Sequence, residues 1–200
     1  MHLMISASQK NKNSNSKYFL KYLSQYLTNY EIIDLKNTNY KEILKLMKKS
    51  SSIIIAMPLY VDSPSSITLE LFDYIYDHKI NLNNKPIYVI INCGFREGIH
   101  NQVALNIIKN WCLKVGAEYA GCVMIGAGEI VGKRKYRLIS HRAFKCLNKF
   151  GLNIKQLNKV NDVITTMDIL NNKTFCTIAN IEWMKKALIN GLSKREIKRQ

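Results

Sequence analysis

The chain has 200 residues, a formal net charge of +16 and a hydrophobic content of 47%. This length suits one domain with room for a small extra lobe, and the apolar content is enough for a sizeable core. No apolar run approaches the roughly 18 residues of a membrane span, and the first residues lack the basic region and cleavage site of a signal peptide. We therefore expect a cytoplasmic protein with no membrane span.

Apolar segments of two kinds alternate through the first 132 residues. Short continuous apolar runs are typical of strands buried on both faces of a parallel sheet. The predicted strands cover residues 3–5, 31–35, 52–57, 87–91 and 118–125. Apolar residues at helical spacing predict helices at 18–27, 40–47, 64–77 and 99–115. The alternation indicates an α/β fold with a doubly wound, five-stranded parallel sheet.

The last third of the chain differs in charge and in pattern. Residues 133–200 contain 16 of the 30 lysines and arginines but only 4 of the 14 acidic residues. Their apolar spacing predicts helices only, at 135–150, 156–170 and 178–190. We interpret residues 1–132 as the core and residues 133–200 as a basic helical extension packed on it.

This basic charge suits nucleic acid, an anionic membrane surface or an acidic redox partner. The segment lacks the pattern of an RNA-binding sheet, a zinc finger or a basic zipper. We therefore favour a solvated basic face and expect no nucleic-acid partner. The five cysteines include no CxxC pair and the four histidines show no ligand spacing, so we expect free thiols and no metal site.

Three loops follow the first, third and fourth predicted strands, whose carboxyl ends would meet at the ligand-binding edge of the sheet. The first, at 6–16, is rich in hydroxyls and amides and leads into a helix, which suits a phosphate group. The second, at 57–64, offers an apolar and aromatic face for a flat ring. The third, at 92–98, carries glycines that permit close backbone approach. The alternative for the first loop is a solvated segment with an ordinary N-cap.

Motifs in these loops resemble the flavodoxin-like NAD(P)H-dependent oxidoreductases, close to the FMN reductases. The residues that carry the resemblance are Ser8-Gln9-Lys10 with Asn13-Ser14-Asn15-Ser16, Pro58-Leu59-Tyr60 with Pro64, Asn92-Cys93-Gly94-Phe95 with Glu97-Gly98, and Asn180-Ile181 with Trp183 and Asn190-Gly191-Leu192. The last of these resembles a C-terminal pattern of clostridial-type members. These motifs occur in the family's order along nearly the whole chain. The chain departs from the family pattern at Ala7, Gln9 and Ala127.

The resemblance implies a flavodoxin-like fold, bound FMN, a homodimer, and electron transfer from NAD(P)H to a small acceptor. It implies that the FMN phosphate is held by Ser8, Lys10, Ser14, Asn15 and Ser16. It implies that the flat ring is lined by Pro58, Leu59, Tyr60 and Val61, and approached on its pyrimidine side by Asn92, Cys93, Gly94 and Phe95. No side chain is expected to be catalytic, because the flavin carries the chemistry. Arg96 balances charge on the reduced ring, pairs with Glu97 or lies in open solvent.

Two other functions stay open at this point. One is a flavodoxin-type electron carrier without NAD(P)H activity, although flavodoxins in general are acidic and this chain is strongly basic. The other is a flavin-free binding protein that uses the basic residues 133–200.

Overall fold

The computed structural model describes residues 1–10, 14–193 and 196. Contacts between residues divide the chain into two compact units, Met1–Thr166 and Met167–Gln200. The expected boundary after residue 132 therefore lies within the first unit. Asn13 of the phosphate motif, and residues 194–195 and 197–200 of the basic extension, lie outside the described residues.

Six parallel strands form one sheet in the order β2-β1-β3-β4-β5-β6. The strands are β1 (His2–Ser6), β2 (Tyr30–Asp34), β3 (Ser52–Pro58), β4 (Pro86–Asn92), β5 (Glu118–Ile125) and β6 (Val163–Thr165). The chain leaves β1 toward β2 on one side and then crosses to β3 on the other, so a crevice opens between the carboxyl ends of β1 and β3. The predicted doubly wound parallel sheet is confirmed, with six strands instead of five.

Helices cover both faces of this sheet. In the first unit they are α1 (Asn15–Leu23), α2 (Tyr40–Lys49), α3 (Ser66–Asp77), α4 (Gln102–Lys114), α5 (Gly128–Val131) and α6 (His141–Lys155). One face is covered by α2, α3 and α4, whose apolar residues join the main hydrophobic core. The other face is covered by α1 and α6, which meet through the rings of Tyr22 and Phe144 at a centroid distance of 4.8 Å. The central strands are thus buried on both faces.

The second unit contains α7 (Asn172–Ile189), an 18-residue helix without a buried residue. Its start is capped by Asn171, whose side-chain oxygen accepts the backbone N–H of Thr174 at 2.9 Å. The predicted helix at 178–190 is therefore present and begins six residues earlier. No helix in the part of the chain that the structure describes is long and apolar enough to cross a membrane.

The predicted helix at 156–170 is wrong, because this segment contains β6. Its residues Val163, Ile164 and Thr165 are all β-branched, which favours an extended backbone. Val163 pairs with Val123 of β5, so the new strand completes the edge of the sheet. A three-residue strand is too short to produce a periodic signal, and its partner lies 40 positions earlier in the chain.

Candidate functional site

The loop after β1 is tied to the start of α3. The backbone N–H of Ala7 donates to the oxygen of Ala56 at 2.8 Å, and the hydroxyl of Ser65 donates to the oxygen of Ala7 at 3.0 Å. The side-chain amide of Gln9 donates to the hydroxyl of Ser66 at 3.0 Å. Ala7 and Gln9, where the chain departs from the family pattern, therefore both help to hold this loop in place.

Three buried serines lie along this loop and the first turn of α1. Ser14 is the N-cap of α1 and its hydroxyl oxygen accepts the backbone N–H of Lys17 at 3.1 Å. The hydroxyl oxygen of Ser8 accepts a backbone N–H at 3.3 Å, and that of Ser16 accepts the side-chain amide of Asn92 at 3.3 Å. Each hydroxyl accepts one bond here and keeps its own proton to donate. With the unpaired N–H groups of a helix start, they form a donor set suited to an anion.

A groove of about 310 Å³ opens beside the first turn of α1. It is lined by Ser14, Asn15, Lys17, Tyr18, Lys21 and Gly132. The ammonium of Lys17 pairs with the carboxylate of Asp34, while Lys10 is exposed on the loop. The charge of Lys17 is balanced by this pair, and the positive end of the helix dipole adds to the charges of Lys10 and Lys21, so this end of the site favours negative charge.

The loop after β3 forms a second wall. Pro58 and Leu59 are half-buried, and the backbone N–H of Leu59 donates to the oxygen of Asn92 at 2.8 Å. Tyr60 follows with 40% of its surface exposed. This bond joins the start of the second wall to the end of β4, so the second and third loops are held together.

A tight turn projects beyond that wall. Tyr60 and Ser63 exchange two backbone hydrogen bonds of 3.0 Å around Val61 and Asp62. Both central residues have positive φ angles, 46° and 62°, as in the turns that close two-residue hairpins. Val61 is 98% exposed, and a β-branched residue is strained in this conformation. Val61 thus lies at the rim of this wall with almost none of its surface buried.

Asn92, at the carboxyl end of β4, connects the first and second loops to the sheet. Its side-chain amide donates to the hydroxyl of Ser16 at 3.3 Å and to the oxygen of Met57 at 2.9 Å. The side chain is 5% exposed. Gly128 packs against it so closely that a Cβ at this glycine would lie 2.8 Å from Asn92 Oδ1. The amide thereby fixes the distance between α1 and the end of β3.

The loop after β4 is held by the loop after β5. The N–H of Gly128 donates to the oxygen of Cys93 at 2.8 Å, and the N–H of Ala127 donates to the oxygen of Phe95 at 2.5 Å. Gly94 between them is exposed, and Phe95 exposes 55% of its surface. Burial raises the pKa of the Cys93 thiol, which is therefore protonated at neutral pH. Cys93 packs in this wall as a neutral thiol.

Arg96 forms an ion pair with its neighbour. Its Nε donates to Glu97 Oε1 at 2.7 Å, and this hydrogen bond is the main reason that the pKa of the Glu97 carboxyl is below its usual range. The expected pairing with Glu97 is therefore present, and a role of Arg96 toward the reduced ring stays a prediction.

Two residues contribute to this region in ways that the sequence did not indicate. Asn101 is fully buried and donates to the oxygen of Gly98 at 2.9 Å, and Ala127 holds a left-handed backbone (φ 52°) that starts α5. Nothing in the local sequence marks a buried asparagine in a short helical turn. The flanking Gly126 and Gly128 were a signal for a tight turn after β5, although not for its contact with Asn92.

The arrangement has the chemistry that FMN requires. One end offers serine hydroxyls and free N–H groups, which suit a phosphate monoester. The other end offers the half-buried Leu59 and the exposed rings of Tyr60 and Phe95, which suit a flat heterocycle. Within the described ranges, no three His, Cys, Asp or Glu residues are grouped to hold a metal ion.

No protein-family model matches this chain, and no curated protein sequence matches it. The fold is similar to that of an NADPH-quinone reductase from P. pentosaceus, with a TM-score of 0.61 and 15% identity over 76% of this chain and 98% of that chain. It is also similar to general stress protein 14 from Treponema denticola, solved in complex with FMN, with a TM-score of 0.58 and 13% identity over 74% of this chain and 98% of that chain. For the flavodoxin of Streptococcus pneumonia TIGR4 the TM-score is 0.56, with 14% identity over 78% of this chain and 99% of that chain. At these identities the likeness concerns the fold, and this chain has a flavodoxin-like α/β architecture.

Proposed function

We propose that this protein is an FMN-dependent oxidoreductase that takes electrons from NAD(P)H and delivers them to a small acceptor, such as a quinone, a nitro compound, a free flavin or a metal complex. The observation that carries the proposal is the convergence of three loops at the switch between β1 and β3. There a donor set for an anion lies beside two walls with apolar and aromatic surface.

In this proposal the phosphate is held by the hydroxyls of Ser8, Ser14 and Ser16 and by the backbone at Asn15. Lys10, which is exposed on the same loop, adds positive charge. Because the three serines are 5% exposed or less, their bonds to a phosphate would form away from bulk water. Such charge-assisted hydrogen bonds are stronger than neutral ones.

The ring would lie between the two remaining walls. Pro58, Leu59, Tyr60 and Val61 belong to one wall, and Asn92, Cys93, Gly94 and Phe95 belong to the other. When bound, FMN supplies hydride acceptance at its N5 atom and onward electron transfer, so the chain needs only to bind, orient and shield it. The protonated thiol of Cys93 adds no charge to its wall.

The proposal extends to the co-substrate and the assembly. NAD(P)H as the co-substrate is supported by the name of the NADPH-quinone reductase to which the fold is similar. We also propose a cytoplasmic homodimer, on the resemblance to FMN reductases, and no nucleic-acid partner.

The first experiment is a titration of the purified protein with FMN, followed by absorbance and fluorescence, and then steady-state oxidation of NADH and NADPH with a quinone. We expect saturable FMN binding and acceptor-dependent oxidation. Binding without oxidation would instead identify an electron carrier. If the protein leaves the absorbance and fluorescence of FMN unchanged at tens of micromolar, on the order of the dissociation constant of a weak site, both functions are contradicted.

A matched pair of serine variants tests the phosphate end. Ser16→Ala removes a hydroxyl from the proposed site, and we expect FMN affinity to fall about tenfold. Ser50→Ala removes an equally buried hydroxyl that caps α2 at the opposite end of the sheet, where it donates to the oxygen of Met47 at 2.8 Å. Equal FMN affinities in the two variants would contradict the assignment of Ser16.

A further inference from the structure

A cluster of polar groups holds the segment that leads into β6. Lys109 Nζ lies 2.6 Å from Asp162 Oδ2, and the hydroxyl of Tyr119 donates to Asp162 Oδ1. The ammonium of Lys109 also lies 4.9 Å from the centre of the Tyr119 ring. Burial raises the pKa of Tyr119, so its hydroxyl remains a donor to the carboxylate. We call these three residues the Asp162 anchor.

Backbone and side-chain bonds reinforce the same segment. The N–H of Val160 donates to the oxygen of Ala120 at 2.9 Å, and the buried Tyr88 hydroxyl donates to the oxygen of Asn158 at 3.0 Å. Residues 158–162 are therefore fastened to β4, β5 and α4 before β6 begins. The strand that follows has only three residues, so its position depends on how its start is held.

The other end of β6 touches the loops after β4 and β5. The oxygen of Thr165 accepts the N–H of Gly126 at 3.1 Å, and Thr166 forms a single antiparallel bridge with Glu97. Gly98 lies so close that a Cβ there would be 2.6 Å from the Thr165 oxygen and 2.5 Å from that of Met124. A shift of β6 would therefore displace residues 93–98.

We propose that Asp162 is a positioning residue: held by Lys109 and Tyr119, it fixes β6, and through β6 it fixes the loop after β4 that forms one wall of the flavin site. This inference rests on the proposed function, because the loop matters to the flavin only if the flavin binds there. The spacing is short, since three residues separate Asp162 from Thr166. No contact of Asp162 with the flavin is involved.

The test measures amide hydrogen exchange and FMN affinity in Asp162→Asn. We expect the amide exchange rates of Gly126 and Ala127 to rise about tenfold and the dissociation constant of FMN to rise about tenfold. The amide of Ala7, which bonds to Ala56 on the other side of the site, should keep its rate. A variant that is merely less stable overall would quicken all three amides, and that result would overturn the proposal.

Two further variants keep the test decisive. Asp73→Asn is the matched control, because it makes the same change at an exposed carboxylate on α3. It should leave exchange and FMN affinity within about twofold of the wild type. Tyr119→Phe removes one bond of the Asp162 anchor and leaves the Lys109 pair, so we expect smaller changes in exchange rate and FMN affinity, in the same direction as for Asp162→Asn. If Asp162→Asn folds poorly, Tyr119→Phe alone tests the proposal, and unchanged exchange at Gly126 and Ala127 would overturn it.

The two readouts separate this inference from the proposed function. If the wild type binds no FMN, the proposed function fails, and so does the inference that Asp162 positions a flavin site. Amide exchange would then still report whether the Asp162 anchor fixes the loop after β4. If the wild type binds FMN but Asp162→Asn binds it equally well, only the positioning inference is overturned.

Discussion

The two walls of the candidate flavin site are built in different ways. The wall that contains residues 92–98 is bonded through its backbone to the loop after β5, and Asn92 and Cys93 in it are nearly fully buried. The opposite wall ends in a two-residue turn whose tip, Val61, is 98% exposed and strained. One wall is therefore held by its surroundings, while the other carries a local conformational cost at its rim. The contrast predicts a site with one rigid and one adjustable side.

Cysteine alkylation tests how rigid the first wall is. In the flavin-free protein we expect Cys93 to react with iodoacetamide about 100-fold more slowly than Cys176, because burial shields its thiol and raises its pKa. Mass spectrometry of peptides after timed quenching separates the two sites. Comparable rates would mean that this wall opens readily, and the contrast between the walls would fail.

Replacing Asn92 removes the bonds that join the walls to α1. We expect Asn92→Ala to lower the free energy of unfolding by about 2 kcal/mol, because the acceptors on Ser16 and Met57 lose their buried donor. Urea denaturation measures the change. The control Asn106→Ala, on the exposed surface of α4, should cost less than about 0.5 kcal/mol.

Relieving the backbone strain at the turn of residues 60–63 should raise the free energy of unfolding, whereas Asn92→Ala should lower it. Val61→Asn places a residue that tolerates positive φ at the first central position, and we expect the free energy of unfolding to rise by about 1 kcal/mol. Val103→Asn is the matched control, since Val103 is 53% exposed in a regular helix and has no such strain to lose. A loss of stability in Val61→Asn would show that the valine is held there by favourable contacts.

The smallest effect is expected at the ion pair in the rigid wall. Because the folded pKa of Glu97 is below its unfolded value, its contribution to stability is present above the unfolded pKa of about 4.3 and is lost as the pH falls through the folded pKa. The carboxylate is partly exposed, so the contribution is small. When urea denaturation is repeated from pH 7 to pH 3, the free energy of unfolding should decline less steeply in Glu97→Gln than in the wild type. Identical pH profiles would show that the Arg96–Glu97 pair does not stabilise this wall.

Strands β1, β3, β4 and β5 were predictable because buried parallel strands are continuous apolar runs that the local sequence reveals. The edge strand β2 is only half-buried, and it was predicted one residue late. β5 was predicted at 118–125, its observed range. The sixth strand was not predictable in this way, since Val163–Thr165 is too short to form a continuous apolar run and its partner β5 lies far from it in the sequence. The wrong helix prediction at 156–170 also affected the site, because the strand that lies there, β6, supports the loop after β4.

Sequence order by itself determined where the candidate site lies. Loops that follow β1, β3 and β4 must reach the same edge of a parallel sheet, so their hydroxyl, aromatic and glycine residues could be assigned to one region before any contact was known. Only the tertiary structure decided which of these residues meet. The bond between Asn92 and Ser16 spans 76 positions, and Asp162 reaches Lys109 across 53. Such pairs depend on the packing of helices against the sheet, which local spacing does not encode.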